Sequence, residues 1–99
     1  MLRRQVLVAT AAALLAAAAS LPAGAADESF CKDYARAAMN QLRSAEKHPR
    51  CDHFLRDQPD RWTGDYRKHY EWCRTVKREQ ARSEQNIRKR ELDRCEQRR

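Results

Sequence analysis

Trp62-Thr63-Gly64-Asp65-Tyr66-Arg67-Lys68-His69-Tyr70-Glu71-Trp72-Cys73 is the stretch on which the fold turns. It holds both tryptophans, two of the three tyrosines, one of the three histidines and one of the four cysteines. At helical spacing, Trp62, Tyr66, His69 and Cys73 share a face that Val76 extends and that Tyr70 and Trp72 widen. Thr63 is the expected N-cap, and Asp65 falls in the first turn, where a negative charge suits the helix dipole. The spacing therefore predicts a short aromatic helix, with the rest of the chain clamped around it.

Upstream, Phe30, Cys31, Tyr34, Ala35, Ala38, Leu42 and Ala45 recur at steps of three and four, predicting a first helix from about Glu28 to Lys47. Asp27 or Ser29 can cap it. Its alanines let a second helix approach closely. His48-Pro49 ends it, because the residue before proline is pushed out of the α region. The segment from His48 to Arg61 reads as a loop, long for so small a domain. Either Cys51 and Phe54-Leu55 pin it to the core, or Asp52 to Arg56 form a helical turn. Downstream, a break near Arg74-Thr75 leads into a third helix, about Val76 to Gln97, free of glycine and proline. Its apolar face is thin, consisting of Val76, Ala81, Ile87, Leu92 and Cys95, and Glu84–Arg88 is a favourable i,i+4 pair.

The N-terminus reads as a targeting segment. Arg3 and Arg4 precede an apolar run from Val6 to Ala19, and Ala23 and Ala25 fit an A-x-A cleavage site. Cleavage is expected after Ala25, with Ala26 as the alternative, giving a signal peptide over 1–25 and one domain over 26–99. The run falls short of the roughly 20 residues that span a bilayer, and the arginine pair reads as an ordinary basic n-region rather than a twin-arginine signal. From Asp27 on, 19 Lys and Arg face 14 Asp and Glu, a net +5, of which +4 lies after Thr75. Large apolar residues are few, so a domain this small needs covalent staples.

Cys31, Cys51, Cys73 and Cys95 supply them: an even number in an exported chain predicts two disulfides. The expected fold is all-α, three helices running up-down-up. In that topology Cys31 starts the first helix at the end where Cys73 finishes the second. Cys51 lies at the opposite end, and a third helix of about 19 residues at 1.5 Å each carries Cys95 to it. The pairing predicted is Cys31–Cys73 and Cys51–Cys95.

Cys31-x-x-Tyr34-Ala35-x-x-Ala38-x-x-Gln41, Cys51, Arg61-Trp62, Asp65, His69, Trp72-Cys73, Glu84, Arg88, Leu92 and Cys95 together resemble a family of short exported alphaproteobacterial proteins. The Trp-x6-His-x-x-Trp-Cys core carries most of the likeness. The resemblance implies the fold and an exported location, and brings no activity or catalytic residue with it. Members have a glycine after the second cysteine and a shorter loop, whereas Asp52 and Phe54-Leu55 stand here.

Three constellations could carry chemistry. His48-x-x-Cys51-x-His53, with Asp52, has transition-metal ligand types, but needs Cys51 as a free thiolate. His69 and Cys73 are i,i+4 neighbours and could form a Cys–His dyad if Cys73 were free. Arg74, Arg78, Arg82 and, further on, Lys89 line one edge of the last helix. That alignment suits an anionic envelope polymer or membrane surface, while export argues against nucleic acid. No serine nucleophile motif, glycine-rich phosphate loop or C-x-x-C motif occurs. No metal or cofactor is assigned. The expectation is a small non-enzymatic envelope protein, a binding or structural module. The alternatives are a thiol- or metal-dependent enzyme using Cys73 or Cys51 with a histidine, and an inhibitor of another enzyme.

Overall fold

The computed structural model describes residues 24–97; the expected signal segment lies almost wholly outside them. The described chain is all-helical: α1 (Glu28–Glu46), a 3-10 turn (Pro49–Cys51), α2 (Asp52–Asp57), α3 (Tyr66–Arg74) and α4 (Arg78–Gln97). Three helices were expected and four are present. The fourth is the short turn beginning at Asp52, and Cys51 and Phe54-Leu55 also pin the segment to the core, so both states open to the long loop occur together. α1 packs against both α3 and α4.

Local chemistry sets the boundaries. Asp27 caps α1 by accepting the Phe30 N–H at 2.8 Å. His48 is extended, as a residue before proline must be, and the chain turns there into the 3-10 segment. α3 is shorter than expected, because Asp65 rather than Thr63 is its N-cap. The Asp65 carboxylate accepts the N–H groups of Arg67 and Lys68, while Thr63 Oγ1 accepts the Asp65 N–H. α4 likewise starts two residues late. The Val76 carbonyl accepts the Ala26 N–H at 3.0 Å, Ala25 bridges Lys77, and Gln80 Oε1 accepts the Lys77 N–H.

Both disulfides form with the predicted pairing, Cys31–Cys73 and Cys51–Cys95, at Cα separations of 5.5 and 5.2 Å. Each sits inside its own apolar cluster. Leu42, Ala45, Phe54, Trp62 and Leu92 surround Cys51–Cys95. Ala26, Tyr34 and Ala81 surround Cys31–Cys73, with Phe30, Tyr70 and Val76 half-buried against them. On α4 the two clusters are separated by Glu84, Gln85 and Arg88, a polar layer through the middle of the domain.

The aromatic stretch is thus divided between the clusters. Trp62 precedes α3 instead of belonging to it. Its indole stacks on Phe54 at 4.7 Å between centroids, and its Nε1–H donates to Glu91 on α4 at 3.1 Å. His69 and Cys73 are the buried members of α3, whereas Tyr66 and Trp72 remain 39% exposed.

Candidate functional site

The polar layer is the floor of a cleft of roughly 610 Å³ between the α2–α3 segment and the α1–α4 pair. That volume is in the range of small-molecule sites. Its walls are Tyr34 from α1, Trp72 and His69 from α3, and the Asp57–Arg61 turn. Arg88 and Glu84 lie at its base. Tyr34 and Trp72 contact each other with ring centroids 5.7 Å apart.

Arg88 is the buried centre of this layer. Read as half of a surface i,i+4 pair, it is instead 1% exposed, the largest fully buried side chain of the described domain. Its Nε donates to Gln41 Oε1 at 2.8 Å, and Gln41 Nε2 in turn donates to the Gln85 carbonyl at 3.2 Å. The guanidinium carbon lies 5.0 Å from the Tyr34 ring centroid, a cation–π arrangement. Its Nη1 is 3.8 Å from Glu84, and its Nη2 has no acceptor. A signal for this burial was present. Positions 81, 88, 92 and 95 are one inward stripe of α4, and Arg88 fills the position the thin apolar face leaves open.

Glu84 faces two guanidiniums and is committed to one. Arg61 Nε donates to it at 2.5 Å and Arg61 Nη2 at 3.4 Å. The hydrogen bond that Arg61 donates to Glu84 raises the Arg61 pKa further. Burial raises the Tyr34 hydroxyl above its ordinary value, against the opposing pull of the Arg88 charge. Burial lowers His69, whose Nε2 is 2.8 Å from the Thr63 carbonyl. The carbonyl can only accept, so Nε2 carries the proton and donates.

The expected site residues are placed as follows. Cys51 and Cys73 are both half-cystines, so neither is a free thiol in this structure. His48 faces Glu96 at 3.4 Å and His53 Nδ1 lies 3.1 Å from the Arg50 carbonyl. No group of three or more metal-ligand side chains occurs among the described residues. The basic edge is also rearranged. Arg74 ends α3 rather than lining α4, and donates to the Tyr70 hydroxyl at 2.9 Å. Arg78 pairs with Asp27 at 3.0 Å and lies over Phe30, as does Arg82, while Lys89 pairs with Asp93 at 3.1 Å. The Arg78 and Arg82 contacts fasten α4 to the start of α1.

No family model, curated protein or solved structure matches the chain.

Proposed function

We propose that this chain is an exported, non-enzymatic binding module whose recognition surface is the Arg88 cleft. One observation carries the reading: a buried guanidinium with an unpaired N–H lies at the base of a cleft walled by a half-exposed tryptophan. An unmet buried donor costs about 1–3 kcal/mol, and such groups concentrate where a ligand completes them. The ordering α1 up, α3 down and α4 up belongs to the same proposal. It is supported by Cys31 at the start of α1 pairing with Cys73 near the end of α3, and by Cys51 after α1 pairing with Cys95 near the end of α4. Export is supported by the two disulfides, which persist in oxidising compartments, and by the targeting pattern of residues 1–25.

A protein-observed fragment screen on the 15N-labelled oxidised domain tests the binding reading, with the Trp72 indole and Arg88 Nε–H signals marking the cleft. Fragments of any charge that shift both signals support it. A screen in which no fragment shifts them refutes it. Export is tested separately by fusing residues 1–27 to a reporter and following its release from the cytoplasm.

A further inference from the structure

Resting on the cleft as a binding site, we infer that its ligand is a small organic acid bearing one carboxylate on a flat or ring-shaped apolar body. The first half of the argument is charge. Arg61 and Arg88 share Glu84, and Arg61 holds it with two hydrogen bonds, at 2.5 and 3.4 Å, while Arg88 keeps one contact at 3.8 Å. Glu91 approaches Arg61 at 3.9 Å, does not reach Arg88, and is itself taken by Trp62 and Gln58. Arg88 is therefore a buried cation short of one carboxylate, with Nη2 as the free donor.

A carboxylate matches that deficit in charge and geometry, since the planar guanidinium fork is complementary to two coplanar oxygens. A doubly charged phosphoryl group does not, because Glu84 at the base and Asp57 and Asp60 on the wall repel the second charge. Asp57 and Asp60 form no ion pair among the described residues, and Lys68, the remaining cation of the lining, balances at most one of them. A neutral amide accepts the N–H but leaves the charge deficit unmet.

The second half is shape. Tyr34 and Trp72 form an aromatic wall beside Arg88, and Trp72 keeps 39% of its surface exposed at the domain's edge. An exposed indole flanking a buried cation suits a flat apolar body attached to the acid. Arg88 Nη2 is covered in this conformation, so engagement displaces a covering side chain.

Phenylacetate, phenylacetamide, phenylphosphonate and acetate, titrated into the 15N-labelled oxidised protein, test this. The expected result is saturable shifts of Trp72 and Arg88 with phenylacetate, and at least tenfold weaker binding of the amide and phosphonate. Acetate should not saturate over the same range. Arg88→Lys keeps the charge and removes the fork, and should weaken phenylacetate at least tenfold. Should that variant not fold, Trp72→Ala, at an exposed position, serves instead and should remove most of the advantage of phenylacetate over acetate. Equal binding of acid and amide, or shifts confined to other surfaces, overturns the inference. If neutral or cationic fragments occupy the cleft while acids do not, the carboxylate assignment falls and the binding reading stands. If no fragment enters, both fall.

Discussion

Replacing Cys51 and Cys95, or Cys31 and Cys73, by alanine should cost nearly the same stability yet loosen opposite ends of the molecule. The two bridges join residues 44 and 42 apart, so in the chain-entropy model each removal costs about 4 kcal/mol. Domains are stable by about 0.05–0.15 kcal/mol per residue, or roughly 4–11 kcal/mol here. Either single removal therefore leaves a marginal fold, and loss of both, about 8 kcal/mol, should unfold most of the population. The two pairs differ in what they release. Cys51–Cys95 closes the cluster holding Phe54, Trp62 and Leu92, while Cys31–Cys73 closes the one holding Ala26, Tyr34 and Ala81. Hydrogen exchange at partial denaturation should thus open α2 and the last turns of α4 first in the Cys51/Cys95 variant. In the Cys31/Cys73 variant, α3 and the start of α1 should open first. Urea and thermal unfolding followed by circular dichroism give the magnitudes. A fully reduced protein that keeps a cooperative transition above about 50 °C, inside the usual mesophile range, would refute the view that the apolar clusters are too thin to stand alone.

Four further outcomes follow. Asp65→Ala should cost about 1 kcal/mol through the lost α3 cap, and Thr63→Ala clearly less, as compared by urea midpoints. Burial depresses His69 below its ordinary value of 6.5, so the unfolded chain takes up its proton first as pH falls. The stability due to neutral His69 is therefore complete above that value and declines below it, and His69→Gln should flatten the urea midpoint between pH 5 and 7.5. Ala26 is buried and its N–H meets the Val76 carbonyl, so cleavage after Ala25 keeps this tie and cleavage after Ala26 loses it. If the signal peptide is processed, mass spectrometry of the resulting chain is expected to find Ala26 at its start. Because Arg78 and Arg82 are engaged by Asp27 and Phe30, converting Arg74, Arg78 and Arg82 to Gln should weaken low-salt binding to anionic vesicles no more than converting Arg36, Arg43 and Lys47. A selective loss in the first set, seen by co-sedimentation, would return the basic edge to candidacy.

Helical periodicity and cysteine placement are local or nearly local properties. They were enough to determine an all-helical domain, the extent of α1, and which cysteines meet. The arithmetic of rise per residue places a cysteine at one end of a helix or the other with little room for error. Helix starts were less legible, because Thr63 and Asp65 both have cap chemistry. The choice depended on which backbone N–H groups the Asp65 carboxylate could reach. Trp62 fits the α3 face by spacing, yet it pairs with Phe54 and Glu91, the latter 29 residues away.

The cleft was decided by tertiary structure alone. Arg88 reads as one half of a helical i,i+4 pair until Gln41, 47 residues distant, accepts its Nε–H and Tyr34 covers its face. Glu84 is drawn from its i,i+4 partner to Arg61, 23 residues away. A buried charge is tolerable only where distant segments supply its partners. No window of sequence contains those partners, so the stripe can place Arg88 on the inward face of α4, but the donor it leaves unpaired cannot be read before the chain has folded.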